Sequence, residues 1–410
     1  MKNFKDMLHK YAKLAVDIGV NIQKNQTLVI NSPIECAEFT RLMAESAYKS
    51  GAKNVEVMWH DESLALIKYL NAPEESFKEF PEWQIKRLND LVEKNAAFIS
   101  IAASNPDLLK EADPNKIAIS NKTKSTALKD YSNHIMKNDV AWCVISVPTK
   151  AWSKKVFSNS DENEAVEKLW NNIFKIVRAD RDDPIKAWEK HIENNDKKVD
   201  FLNNHRFKNL HYKSKDTDLT IELPKDHIWC GCGEYNKAGT YFVANIPTEE
   251  VFTLPLKNGV NGKVKSTKPL NFNGNLINDF TLTFKDGKVI DFSCSEGYES
   301  LKKLLQMDEG SSYLGEVALV PFDSPISNSN IIFYNTLFDE NASCHLAFGK
   351  AYSSCLKNND KLTLEETKKL GANDSLVHVD FMVGSPDLDI IGETHSGEKI
   401  QVFKNGNWAF

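Results

Sequence analysis

The stretch Asp339-Glu-Asn-Ala-Ser-Cys-His-Leu-Ala-Phe-Gly-Lys-Ala-Tyr352 gathers two acids, a histidine and a tyrosine in otherwise small, apolar sequence. Asp339, Glu340 and Asn341 have the character of a helix start. There, side-chain oxygens accept from free backbone N–H groups, and negative charge meets the positive end of the helix dipole. Continued as a helix, the stretch puts His345 and Tyr352 on one face, about two turns apart. An imidazole and a phenol beside a knot of carboxylates make a platform for a metal ion. A capped helix with a half-buried histidine and a packing tyrosine is the plainer alternative.

Composition narrows the setting. At 410 residues the chain exceeds one ordinary core, which predicts two domains. Charged residues at 26% and apolar residues at 41% describe a soluble globular protein. A net charge of −6 leaves no basic footprint for nucleic acid and no support for a membrane role. The opening residues lack an apolar core of signal-peptide length, and no run approaches the ~20 apolar residues of a membrane span. Seven scattered cysteines, an odd number, fit reduced thiols and a cytoplasmic location. Cys230 and Cys232 stand closer together than zinc pairs usually do and read as buried thiols.

Upstream of the opening stretch, the N-terminal half alternates helix and strand. Phe4, Met7, Leu8, Tyr11, Leu14, Ala15 and Ile18 recur at helical spacing, and Glu35–Tyr48 repeats the pattern. Thr27–Ile30, Val55–Trp59, Ala97–Ala102 and Val140–Val147 are apolar runs bounded by turn residues. Strands separated by helices predict an α/β domain with a mostly parallel sheet. No Gly-x-Gly-x-x-Gly and no phosphate loop follows any of them, so a nucleotide role lacks its motif. Val166, Leu169, Trp170, Ile173, Phe174 and Val177 form a helical stripe, and Asp183-Pro184 opens a last helix carrying Trp188. The boundary is expected among the Asn, His and Lys residues that follow, giving domains 1–208 and 209–410.

The C-terminal half is mainly β. Thr217–Leu223 alternates, and Phe280–Phe284 and Val289–Phe292 flank Asp286-Gly287, a strong hairpin signal. Leu314–Val320, Ile331–Leu337, Leu376–Val383 and Ile400–Phe403 are further expected strands. They predict a mainly antiparallel β (α+β) catalytic domain in which 339–352 is one of few helices.

Several charged residues here sit where charge is costly. Glu316 lies at the centre of Leu-Gly-Glu-Val-Ala-Leu-Val, and a carboxylate out of water costs several kcal/mol unless paired or metal-bound. An edge strand pointing Glu316 to solvent is the alternative. His378 and Asp380, two apart on a strand, share a face; a structural His–Asp hydrogen bond would also explain them. Of the adjacent acids in Asn245-Ile-Pro-Thr-Glu-Glu-Val, Glu250 is chosen to face the site. Glu250, Glu316, Glu340, His345, Tyr352, His378 and Asp380 are then the candidate ligands. Seven oxygen and nitrogen donors without thiolate suit two ions and favour zinc, cobalt or manganese.

At these residues the sequence resembles the aminopeptidase T and aminopeptidase S family of metallopeptidases, which includes PepS-type enzymes. The matching stretches are 245–253, 314–320, 333–345, Ala351-Tyr352 and His378-Val-Asp-Phe-Met382. The N-terminal match is looser, helped by Arg178-Ala-Asp-Arg-Asp-Asp-Pro. Lys215-Asp-Thr-Asp-Leu and Phe348-Gly depart from the family pattern, both outside the ligand set. The resemblance implies a two-domain homodimer with two divalent ions per chain, removing N-terminal residues from peptides with a free amine. It puts the ligands on the same seven residues, with Glu316 the bridge. The expected mechanism is attack by a metal-activated water, with Glu316, Glu340 and Tyr352 as the candidates for proton transfer and oxyanion stabilisation. Another dinuclear hydrolase, an amidase or phosphoesterase, and a non-catalytic metal-binding protein are the alternatives. No Gly-x-Ser-x-Gly and no His-Glu-x-x-His occurs to support a serine hydrolase or a zincin.

Overall fold

A computed structural model describes residues 4–272 and 275–410. The chain divides into two compact units, Met1–Lys190 with Gly233–Pro247 and His191–Cys232 with Thr248–Phe410. The division therefore falls inside the helix Pro184–His205, and the boundary expected at 208/209 lies within the second unit.

The first unit holds a four-stranded sheet of β1 (Thr27–Pro33), β2 (Asn54–His60), β3 (Ala97–Ile101) and β4 (Trp142–Ile145), in the order β2-β1-β3-β4. Every pair is parallel, as the alternating sequence requires. Val29, Phe98 and Val140 join one buried cluster with Leu91 and Val92 of the helix Glu82–Glu93. On the helix Glu162–Ile176, Leu169, Trp170, Ile173 and Phe174 are buried, and Asp161 caps it by accepting from Glu164 N. The segment 233–247 returns to β4 through Val144 N to Ala244 O at 2.7 Å and Ile246 N to Val144 O at 3.0 Å. Its own strands, Glu234–Tyr235 and Tyr241–Phe242, are two residues each, too short to leave a periodic signal in the sequence.

The second unit is built on two antiparallel sheets. The larger has eight strands. Phe207–Lys213 and Asp218–Glu222 pair near its middle, and the Asp286-Gly287 hairpin closes one end. The smaller contains β5 (Val251–Thr253), β6 (Leu314–Leu319), β7 (His345–Gly349) and β8 (His378–Met382), in the order β8-β7-β6-β5. Leu219, Ile221, Leu282 and Phe403 from the large sheet share one buried cluster with Val317, Leu319, Leu346, Phe348 and Phe381 from the small one. Each strand of the small sheet spends alternate residues on this core, leaving the intervening residues on the opposite face.

Two expected elements differ. Residues 331–335 form no strand, and Thr336–Asp339 is one helical turn. The Asp339 carboxylate accepts from Phe333 N at 2.9 Å and Asn335 N at 3.1 Å, folding this apolar run back on itself. The helix expected over 339–352 is a short turn at Glu340–Ala342, extended backbone at Ser343 and then β7.

Candidate metal centre

The face of the small sheet turned away from the core carries the acids and histidines. On β8, His378, Asp380 and Met382 alternate with Val379 and Phe381, which pack toward the core. On β7, His345, Ala347 and Gly349 alternate with the core residues Leu346 and Phe348. On β6, Glu316 and Ala318 alternate with Val317 and Leu319, and a bulge between Leu314 and Glu316 lets Leu314 also reach the core. Cross-strand register then sets Glu316 opposite Ala347 and Ala347 opposite Asp380. Glu250 stands just before β5, the strand that flanks β6 on its other side.

His345 Nε2 lies 3.1 Å from Glu250 Oε2. His378 Nε2 lies 3.0 Å from Glu316 Oε2 and 3.4 Å from Asp380 Oδ1. In both rings Nδ1 meets a backbone carbonyl, Ser343 O at 3.2 Å for His345 and Lys350 O at 2.7 Å for His378. An Nδ1–H donated to a carbonyl turns Nε2 toward the carboxylates, where it carries a proton in the metal-free protein and would offer its lone pair to an ion, the arrangement of metal-ligating histidines. Donor atoms of Glu250, Glu316 and His345 lie within 4.8 Å of one another, and so do those of Glu316, His378 and Asp380. Glu316 belongs to both groups.

Glu340 and Tyr352 border these groups without joining either. Glu340 follows the Thr336–Asp339 turn, and Asn341 Nδ2 approaches its Oε1 at 3.4 Å. Tyr352, just beyond β7, sets its ring edge against His378 with centroids 4.7 Å apart. His345 and Tyr352 are therefore brought together by a strand and the loop after it, not by two turns of helix.

The electrostatics are those of an acidic cluster short of cations. Burial raises the Glu340 carboxyl well above the usual carboxylate range, and the charges of Asp380 and Glu250 push it further. Burial likewise raises Glu316, against the opposing pull of His378. Burial would lower His345, but the hydrogen bond and charge of Glu250, with Asp380 and Glu316 behind it, push it up to about 10. Burial also pushes Asp380 up, yet the charge and hydrogen bond of His378 hold it below its usual value. The His378 cation pulls the Tyr352 hydroxyl down, but burial and the charges of Glu316, Asp380 and Glu340 leave it well above normal. Glu250, Glu316, Glu340 and Asp380 outnumber His345 and His378 two to one even with both rings protonated. Among the described residues no lysine or arginine pairs with any of the four acids. Oxygen and imidazole donors with excess negative charge, held together on a largely buried face, fit divalent cations.

Supporting residues escaped the sequence reading. Asn341, fully buried, accepts from Glu249 N at 2.8 Å and donates to Leu337 O at 3.1 Å, tying the segment before β5 to the turn that carries Glu340. Asn195, on the helix Pro184–His205, is also fully buried; it donates to Glu250 O at 2.9 Å and accepts from Cys232 N at 3.0 Å. Cys232 is buried, as expected, while Cys230 is only partly so. Asn341 lies within the stretch that drew attention, but nothing in its type or spacing separates a clamp from a surface amide.

A buried carboxylate–imidazole face of this kind defines a metal-centre protein, and comparison with known proteins gives the class. A family model described as "Thermophilic metalloprotease (M29)" matches residues 4–408. The chain is 53% identical over 410 residues to aminopeptidase 2 of Geobacillus stearothermophilus, covering 100% of this chain and 99% of that protein. It is 38% identical to aminopeptidase T of Thermus thermophilus, over the full length of both. The solved structure of wild-type AmpT from Thermus thermophilus superposes with a TM-score of 0.94 at 37% identity, covering 99% of this chain and 100% of that one. This chain belongs to the M29 metalloprotease family, and it is an enzyme that hydrolyses peptide bonds.

Proposed function

We propose that the protein is a metal-dependent aminopeptidase, removing N-terminal residues from peptides at a site holding two divalent ions. Glu250, Glu316, Glu340, His345, Tyr352, His378 and Asp380 would be the ligands, with zinc, cobalt or manganese as suitable ions. The observation that carries the reading is the sharing of Glu316 between two donor groups on one sheet face. Carboxylates bridge well because each has two oxygens. The aminopeptidase names of the full-length relatives support the direction of attack.

The bound ions would supply Lewis acidity and a water of lowered pKa. The chain's own residues would do the rest. Glu316 or Glu340 would take the proton from the attacking water and pass it to the leaving amine. Tyr352 would bind an ion or donate to the developing oxyanion. All these residues lie in the part assigned to the catalytic domain, 209–410. A cytoplasmic homodimer, as the resemblance implies, completes the reading.

The test is hydrolysis of amino-acid p-nitroanilides, free and N-acetylated, after chelation and after adding back each metal. Metal-dependent cleavage confined to free amines is expected, with two ions per chain by elemental analysis. Cleavage of the acetylated series would make the enzyme an endopeptidase or another amidase. Light scattering of the purified protein tests the dimer.

A further inference from the structure

We propose that a surface cavity of the second unit binds multiply charged phosphates, either the phosphate chain of a nucleotide or a condensed inorganic phosphate. The site shares no residue with the candidate metal centre and does not depend on the aminopeptidase reading. The cavity measures about 340 Å³ and lies among His205, Arg206, Lys225, Thr394, His395 and Ser396. That is the size of a small-molecule site. Every lining side chain is polar or charged, so the cavity suits the charged part of a ligand and not an apolar body. None of them is an aspartate or glutamate. In a chain of net charge −6, two fixed cations and two imidazoles without an acid make a local reversal of sign.

Three segments far apart in the chain supply these groups. His205 ends the helix Pro184–His205, and Arg206 follows it with φ +47°, in the left-handed region. Glycine or asparagine usually takes that position, because a Cβ crowds the backbone there. The arginine keeps a guanidinium at the cavity against local strain. Arg206 Nη2 donates to Lys225 O at 3.3 Å, which holds the guanidinium beside the second segment. Among the described residues neither Arg206 nor Lys225 has a carboxylate partner. The third segment is the turn between the strands Asp389–Thr394 and Lys399–Lys404. Thr394 Oγ1 and Ser396 Oγ lie 2.8 Å apart, so one hydroxyl proton serves their mutual bond and the other remains for a ligand oxygen. Helix carbonyls that would repel an anion are already engaged: Leu202 O accepts from Arg206 N at 3.2 Å, and Phe201 O accepts from His205 Nδ1 at 2.8 Å. The field of the cations reaches inward as well. Burial lowers His227, two residues past Lys225, and the charges of Arg206, His395 and Lys357 add to that depression. A guanidinium and an ammonium together exceed what one carboxylate satisfies, whereas a phosphate chain brings several oxygens and more than one charge.

The experiment is calorimetric titration of the metal-loaded protein, in excess Mg²⁺, with tripolyphosphate, ATP, adenosine and N-acetylated triglutamate. It compares the wild type with Arg206→Gly, Lys225→Ala and the double variant. Glycine suits the left-handed backbone at 206, and Lys225 is exposed, so melting temperature and metal content should match the wild type. Tripolyphosphate and ATP should bind at one per chain, and adenosine should not. Each single variant should weaken them roughly three- to tenfold, as expected of charged groups in contact with solvent, and the double variant by about the product. ATP binding well above tripolyphosphate would identify a nucleotide as the ligand; equal affinities would identify the phosphate chain alone. Phosphates also coordinate metal ions, so binding that the double variant leaves unchanged would assign them to the metal centre and overturn the proposal. The absence of saturable binding would overturn it too, as would triglutamate binding as tightly as tripolyphosphate.

Discussion

Replacing Asn341 by Ala leaves every candidate ligand in place and removes only the clamp between two of them. Asn341 Oδ1 accepts from Glu249 N at 2.8 Å, and its Nδ2 donates to Leu337 O at 3.1 Å and approaches Glu340 Oε1 at 3.4 Å. The substitution strands one backbone donor and one backbone acceptor in a place where Asn341 itself is fully buried. Each orphaned group costs roughly 1–3 kcal/mol, so a loss of about 2–6 kcal/mol is expected. For a domain near 200 residues that is a melting drop of roughly 5–15 °C. Because Glu250 adjoins Glu249, and Glu340 adjoins Asn341 itself, divalent-metal affinity should fall ~10–100-fold, the usual effect of losing a group that orients ligands. Differential scanning calorimetry of the chelated protein gives the first quantity, and competition with a fluorescent chelator gives the second. Asn195→Ala acts on the same segment through Glu250 O, so the double variant should lose less than the sum of the singles. A melting point within about 2 °C of wild type with unchanged metal affinity would refute the idea that this amide organises the site.

Two further outcomes follow from buried positions outside the ligand set. Burial pushes His227 down from 6.5 to about 4, against a hydrogen bond to Pro224 O, with the Arg206 charge adding to the depression. The unfolded chain then takes the proton first, so this stability is present above about pH 6.5 and lost as pH falls toward 4, roughly 3 kcal/mol in all. Urea unfolding of wild type and His227→Gln across that window should diverge; parallel curves would rule the histidine out. Gly349 has φ +94°, and a Cβ there would meet Val377 O at 2.1 Å. Gly349→Ala should therefore cost about 2–4 kcal/mol and, by forcing β7 from β8, lower the metal content measured by elemental analysis.

The candidate ligands stand out in the sequence because charge in an apolar strand is an anomaly at any register. Glu316 sits in β6, whose six residues are all buried, and His378 and Asp380 share a face because strand periodicity leaves no choice. The structure around His345 was not legible. Ala-Ser-Cys-His-Leu-Ala-Phe-Gly has no β-branched residue and suits a helix by propensity. It becomes a strand because β6 and β8 pair with it on both sides, and those partners lie tens of residues away in the chain. The same limit hid the return of 233–247 to β4. Asn195 and Asn341 show the limit at single residues: an amide's value lies in which backbone groups come within its reach.

The small residues of β7 leave room for an ion on this sheet face. Glu316 and Asp380 occupy strands on either side of β7, in register with Ala347. Strands two apart are ~9–10 Å from each other, more than two carboxylates can close by direct contact. Their carboxylate oxygens nonetheless come within 4.8 Å of each other, beside His378, over a residue that offers only a methyl group. Ala318 opposite His345, and Gly349 opposite His378, repeat the arrangement in the flanking rows. A large side chain at any of these positions would fill the space in which the donors converge. The short, small-residue composition that made this stretch look like a helix is thus what the site requires of its central strand.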